Sequence, residues 1–217
     1  WRLAKFPIDP KIARMILAAK EENCLSEVLV IASALSVQDP RDRPLERQEA
    51  ADRAHRRFQD ERSDFIGYLK LWEFFDDLLR HRKSNSKLLE QCQENFLSHR
   101  RLREWREVHG QLHTLVGETG LRLNEIPAGY DEIHRALLAG LLGNIGFKAE
   151  FKADEGGEYL GARGVRFSIF PGSALKKAKP KWVVAAELTE TARLYARGVA
   201  RIDPSWIEKV AGALCRK

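Results

Sequence analysis

Two cationic runs are the residues whose type and spacing could do chemistry, and that chemistry is anion binding. Lys176-Lys177-Ala178-Lys179-Pro180-Lys181 sets four ammonium groups in a short Pro-limited loop between strands, where no acidic partners are expected nearby. Arg100-Arg101-Leu102-Arg103, followed by Arg106, spreads guanidinium groups over about two helical turns, where bidentate bonds could track phosphates. Glu104 and Glu107 interleave with that second run, so intrahelical ion pairing is an equal reading of it. A solubilising loop is the alternative for the lysines. The charge distribution favours a polyanion. The 217 residues hold 37 Lys+Arg and 31 Asp+Glu, a formal net charge of +6, yet residues 151–217 alone carry 13 basic and 7 acidic side chains. The first 150 residues balance, and a local excess of fixed cations raises the local concentration of a polyanion.

Other chemistry is not encoded. The sequence contains no Gly-x-x-x-x-Gly-Lys-Ser/Thr phosphate loop and no Asp-Glu-Ala-His run, so nothing in it cradles ATP or holds magnesium. Gly140, Gly143 and Gly146 read as places where helices approach or end. His109 and His113 could share a metal across one helical turn, but no third ligand stands in register, and surface histidines are expected. Asp76-Asp77 and Glu21-Glu22 are adjacent, diverge around a helix, and read as solvated charge. No nucleophile and base are arranged for hydrolysis. Cys24, Cys92 and Cys215 are odd in number and far apart, which fits a reducing cytoplasm. No apolar run approaches the roughly 18–20 residues that span a bilayer, so no membrane role is expected. The opening Arg2-Leu3-Ala4-Lys5-Phe6 is abrupt, as in a piece of a longer protein.

The elements that must position these residues fall into two grammars. Pro10 starts a first helix with Ile12, Met15, Ile16 and Ala19 at helical spacing, and Ser26 with Glu27 opens an almost wholly apolar second one. Pro40 and Pro44 make a loop, and Glu46 to Phe58 is expected as one charged surface helix. Ser63 or Asp64 caps a helix whose Phe65, Leu69, Trp72, Phe74 and Phe75 make a core. Further helices are expected over Ser86 to Leu97, His99 to Val116 and Tyr130 to Leu142. Beyond Gly143 the pattern alternates. Strands are expected over Ile145 to Lys152, Val165 to Phe170, Trp182 to Leu188 and Thr191 to Val199, enough for a small closed barrel, with a helix after Pro204. Trp182, Phe167 and Tyr195 read as barrel core. The expected class is α+β, with a preceding remnant at 1–9, a helical bundle at 10–143 and a barrel at 144–217.

This order resembles the C-terminal region of DEAH-box RNA helicases, in which a helical, ratchet-like helicase-associated domain precedes an oligonucleotide-binding (OB) fold. Phe6-Pro7-Ile8-Asp9-Pro10 is similar to the junction after the family's winged-helix domain, and Leu35-Ser36-Val37-Gln38 running into Arg43-Pro44 to its second ratchet helix and loop. Asp52, Phe58, Ser63-Asp64, Trp72, Cys92, Asn95-Phe96-Leu97, Arg101 and Ile133 through Gly140 continue the likeness, although Phe65 stands where His is often found. Ile169-Phe170-Pro171-Gly172-Ser173, Trp182-Val183-Val184, Glu187-Leu188, Thr191, Tyr195, Arg197 and Pro204-Ser205-Trp206 follow the barrel pattern. Phe-Pro-Gly-Ser in place of His-Pro-Ser-Ser looks like the bacterial branch and removes one serine contact to the nucleic-acid backbone.

The resemblance implies an accessory region of a cytoplasmic helicase, lining a channel for single-stranded RNA beside the parent's own motor and winged-helix domains. The motor would use ATP and magnesium to drive 3′-to-5′ translocation, while this region needs no cofactor. A module that docks a regulatory protein is the alternative. Arg166, Ser173 and Arg197 join Arg100, Arg101, Arg103, Lys176, Lys177, Lys179 and Lys181 as the candidate RNA contacts. Because no phosphate-binding or magnesium-binding motif is present, the purified 217-residue chain is expected to hydrolyse no ATP, with or without RNA. RNA-stimulated turnover by the chain alone would overturn that reading.

Overall fold

The computed structural model describes residues 8–81, 84–150 and 158–212. The Phe6-Pro7 junction, the end of the first expected strand at 151–152, Gly156, Gly157 and Cys215 lie outside them. The described helices are α1 (Pro10–Glu21), α2 (Leu25–Leu35), α3 (Gln48–His55), α4 (Asp64–Arg80), α5 (Asn85–Glu94), α6 (His99–Glu118), α7 (Tyr130–Leu141), α8 (Leu175–Ala178) and α9 (Pro204–Ala211). The strands are β1 (Ile145–Lys148), β2 (Tyr159–Gly161), β3 (Arg166–Ile169), β4 (Trp182–Glu190) and β5 (Leu194–Arg201). The chain divides into two compact units. One joins Trp1–Val28, Asp60–Phe65 and Arg122–Lys217, and the other Leu29–Gln59 and Ile66–Leu121. Periodicity places a division near residue 143, where helix gives way to strand, but the units cut across that point.

In the unit of residues 29–59 and 66–121, Trp105 is the central side chain. Its ring is fully buried beside Val30, Phe58, Leu71, Phe75 and Leu102, and its indole N–H donates to the Val30 carbonyl at 3.1 Å and Ser33 Oγ at 3.0 Å. A buried indole needs such a partner, since an orphaned donor costs as much as a lost hydrogen bond. Trp72 and Phe74 are only half-buried, at the rim of this core. The expected single helix over 46–58 is interrupted: 3₁₀ turns at Leu45–Arg47 and Arg56–Phe58 flank α3. The thin apolar stripe there leaves only Ala51, His55 and Phe58 to be buried. α5 starts one residue earlier than expected, because Ser84 caps it by accepting the Lys87 N–H. Asp76 is not solvated charge. It accepts hydrogen bonds from both Arg80 and Arg106.

In the other unit, α1 and α7 touch closely at Gly140, where a Cβ would lie 2.4 Å from the Lys11 carbonyl oxygen. Gly146 has a different role, because its missing side chain makes room for the Phe167 ring inside the barrel. Glu22, expected in solvent, takes the Arg135 Nε and Nη2 at 2.9 and 2.7 Å and ties α1 to α7. The start of α2 is capped from a distance: Asn124 Oδ1 accepts the Ser26 N–H at 2.8 Å, and Glu27 accepts from Asn124 Nδ2 and the Ala128 N–H. The barrel closes in the order β1-β2-β3-β5-β4, with β3 and β5 parallel and β4 returning antiparallel to β1. Closure removes the exposed edges that invite association. Tyr159, Phe167, Ile169, Leu175, Val183, Ala185, Ala196 and Val199 fill it. β5 starts at Leu194, later than the expected Thr191, because residues 191–193 form the turn.

Residues 60–65 are sewn into this unit. Ser63 bridges to Ala200, and the Arg62 carbonyl accepts the Arg201 N–H at 2.8 Å and the Tyr130 hydroxyl at 2.9 Å. Ser63 and His134 are both fully buried and 2.6 Å apart. The ring's Nδ1 lies 2.6 Å from the Tyr130 carbonyl, so Nδ1 donates there and Nε2 accepts from Ser63. Ser63 Oγ in turn accepts the Phe65 N–H. A serine–histidine pair at this distance could be a nucleophile and base, but burial and these fixed bonds make it a structural lock.

Burial holds the His134 imidazole neutral, with its pKa pushed down to about 4. The unfolded chain therefore binds a proton that the folded protein refuses between about pH 6.5 and 4. Stability from this site is complete above pH 6.5 and falls as the pH drops toward 4, by on the order of 3 kcal/mol. Denaturant midpoints should show that fall in wild type and in His109→Gln, which removes another imidazole depressed to about 4, and should show it reduced in His134→Gln. An unchanged pH profile in His134→Gln would refute the assignment.

Candidate nucleic-acid interface

Nucleic-acid contact needs cations without internal partners and flat rings that are not wholly buried. The structure sorts the candidate residues by that test. Lys176 and Lys177 lie in α8, a single helical turn held down by the buried Leu175, and Lys179 follows at its end in a left-handed conformation with φ of +43°. The expected irregular loop is thus partly helical, and its lysines do have an acidic partner. Glu158, distant in sequence, receives Lys176 Nζ at 2.7 Å and Lys179 Nζ at 2.6 Å. Burial opposes its charge, yet the two lysine hydrogen bonds win and hold its carboxyl below the usual range. Two of the four charges are thereby committed to the barrel itself. Lys177 and Lys181 remain exposed, and Lys181 Nζ sits 5.7 Å from the Phe147 ring centre.

Ser173 is also committed. Its hydroxyl donates to Asp64 Oδ2 at 2.7 Å, and its oxygen accepts the Leu175 N–H, so it fixes the start of α8. Arg166 is exposed near the start of the barrel's third strand, opposite Leu160. Arg197 is differently placed. Its guanidinium lies 3.6 Å from the Phe170 ring centre, and Tyr195 meets Phe170 edge-on at 6.0 Å. On β5, Tyr195 and Arg197 are two residues apart and so share a face. Tyr195 and Trp182 are half-buried, so neither is the interior residue expected of it, whereas Phe167 is. Trp182 leans on Phe147 at 4.9 Å.

The arginine run belongs to the other unit and divides three ways. Arg101 reaches Asp42 at 2.8 Å and the Asp39 carbonyl at 3.2 Å, with its side chain 21% exposed, so it is a structural tie. Arg103 pairs with Glu107 at 3.6 Å on the helix surface. Arg100 is exposed in the first turn of α6. His109 is half-buried rather than a surface residue: it leans on Trp72 at 4.5 Å, and burial, then His113 and Arg106, push its pKa down to about 4. Among the described residues no group of three or more His, Cys, Asp or Glu could hold a metal ion.

The barrel therefore presents two cation–aromatic clusters, Arg197 with Phe170 and Tyr195, and Lys181 with Phe147 and Trp182. Such surfaces can stack bases and hold phosphates. Sequence reading finds both cations but assigns Trp182 and Tyr195 to the core, and Phe147 and Phe170 to strand pattern alone. Alternation says which face a side chain occupies, but not how far the barrel rim covers it.

Comparison with known proteins adds family information. Residues 9–68 match the family described as helicase associated domain (HA2), ratchet-like, and residues 133–214 match the oligonucleotide/oligosaccharide-binding (OB)-fold family. The chain is 47% identical over 216 residues to the ATP-dependent RNA helicase HrpA of Escherichia coli (strain K12). It has the same identity, over the same length, to the ATP-dependent RNA helicase HrpA homolog of Haemophilus influenzae. In each case the match covers 100% of this chain and 16% of the relative, so the chain spans about one sixth of their length.

Glu158 occupies two lysines that a phosphate could otherwise use. Glu158→Gln should raise affinity for a short single strand several-fold at low salt and steepen its salt dependence, because more counterions are released per phosphate bound. Equal affinity and slope, measured by fluorescence anisotropy, would show that Lys176 and Lys179 lie off the path.

Proposed function

The chain belongs to the C-terminal helicase-associated and OB-fold region of DEAH-box RNA helicases, and from that premise we propose that its barrel grips single-stranded RNA for a motor that lies elsewhere in the protein. The carrying observation is the Arg197, Phe170 and Tyr195 cluster on the barrel surface. Arg197 offers a fixed cation on an aromatic face, and exposed Lys177 and Lys181 supply charge without carboxylate partners among the described residues. Interactions of this kind tolerate any sequence, because every base has a π-face and every nucleotide a phosphate.

In this reading the helical segments form a wall of the RNA channel, beside the parent's motor and winged-helix domains. ATP and magnesium act in the motor, and translocation runs 3′ to 5′ in the cytoplasm. The accessory region adds no chemical step. Its part is to resist slippage, so that hydrolysis is coupled to strand movement.

The triple variant Lys177→Ala/Lys181→Ala/Arg197→Ala tests the barrel. Affinity for unrelated single strands should fall by a similar factor, and the log–log salt slope should drop by about 0.7 for each phosphate that is no longer neutralised. Thermal stability should fall only modestly, since the exposed Lys177 and Lys181 contribute little to folding and Arg197 loses one cation–aromatic contact, worth about 1 kcal/mol. Wild-type affinity and slope in a folded variant would move the RNA off the barrel. Loss of binding to an acidic partner alone, with RNA binding intact, would favour a protein-docking role.

A further inference from the structure

We infer that Arg47, Arg53, Arg56 and Arg57 form a second binding surface for a single-stranded RNA backbone, additional to the barrel's. The inference takes its class of substrate from the proposed function but rests on different residues. The four lie on the 3₁₀–α3–3₁₀ stretch from Leu45 to Phe58, and all are exposed. Six other described arginines of the same unit hold a carboxylate: Arg41 has Asp39, Arg43 has Asp52, Arg101 has Asp42, Arg103 has Glu107, and Arg80 and Arg106 share Asp76. Among the described residues, none of the four is within ion-pair distance of a carboxylate. Asp52, one turn before Arg56, is taken by the Arg43 guanidinium through two bonds of 2.6 and 2.8 Å. Arg53 is three and four residues from Arg56 and Arg57, so these like charges face one another and oppose the helix that carries them.

Two of the guanidiniums converge on one turn. Arg57 lies 4.3 Å from the Phe74 ring centre, and its Nη1 is 3.5 Å from Asn95 Oδ1. Arg47 lies 4.7 Å from the ring centre of the next residue, Phe96. Phe96 has φ of +52°, a left-handed conformation that disfavours an aromatic residue. Its carbonyl accepts the Asp42 N–H at 2.8 Å and the His55 Nε2–H at 3.1 Å, which holds the turn in that state. Arg47 and Arg57 thus bring unpaired charge to the strained turn, and both features cost stability, as at sites kept for binding. Guanidiniums set over rings, as those of Arg47 and Arg57 are, suit RNA better than an acidic peptide: they can bond phosphate in bidentate fashion and offer a planar face to a base.

The test uses the 217-residue chain and a short labelled RNA strand, with the barrel triple variant measured in parallel. Arg53→Ala/Arg56→Ala/Arg57→Ala should bind on the order of ten-fold more weakly near 0.1 M salt, with the log–log slope lower by about 2. Its melting temperature should hold or rise, because alanine favours helix and the repulsion is gone. Arg53→Lys/Arg56→Lys/Arg57→Lys should keep the slope yet bind several-fold more weakly, since an ammonium cannot make the bidentate bond. Wild-type affinity and slope in the folded alanine variant overturn the inference. So does wild-type affinity in the lysine variant if the alanine variant unfolds, or a loss confined to a glutamate-rich peptide. If only the barrel variant loses RNA, this site fails and the barrel reading stands. If only the arginine variant does, the reverse holds.

Discussion

The Asp64 carboxylate accepts the Val199 N–H at 2.9 Å and the Ser173 hydroxyl at 2.7 Å, and much of the barrel-bearing unit depends on that junction. β3 pairs with β5 only at Tyr195 and Ala196, so beyond them an edge of β5 must find other acceptors. Residues 62–64 supply them. The Arg62 carbonyl takes the Arg201 N–H, Ser63 bridges to Ala200, and Asp64 takes Val199. A segment far from the barrel in sequence thus completes its ladder. Through Ser173 the same carboxylate sets the first turn of α8, and through α8 the positions of Lys176 and Lys177.

The second organising constraint is the assignment of charge. Arginine and lysine are abundant throughout, but several are held by carboxylates in ways that tie structure together: Arg135 to Glu22, Arg101 to Asp42, Arg106 to Asp76, Lys176 and Lys179 to Glu158. What can bind an external polyanion is the remainder. A paired lysine already has its counter-charge and releases fewer counterions when a phosphate arrives. Net charge therefore overstates the binding surface, and the few cations resting on aromatic rings define it better. Among the described residues Arg197 on Phe170 is the closest such pair, at 3.6 Å.

Much of this protein was determined by its sequence alone. Apolar spacing of 3.6 residues marked α1 and α7, an almost wholly apolar run marked α2, and strand pattern marked β1, β3, β4 and β5 but missed the three-residue β2, because burying one face of an element imposes its period on the chain only over several residues. The order of segments, with Phe170-Pro171-Gly172-Ser173 and Pro204-Ser205-Trp206, was enough to indicate the family. Tertiary structure alone decided which charges are free. Glu158 meets Lys176 and Lys179 only once the barrel closes, Asp64 reaches Ser173 across 109 residues, and His134 meets Ser63 across 71. Local pattern reports the face a side chain occupies, whereas its partner depends on which distant segment the folded chain brings to that face.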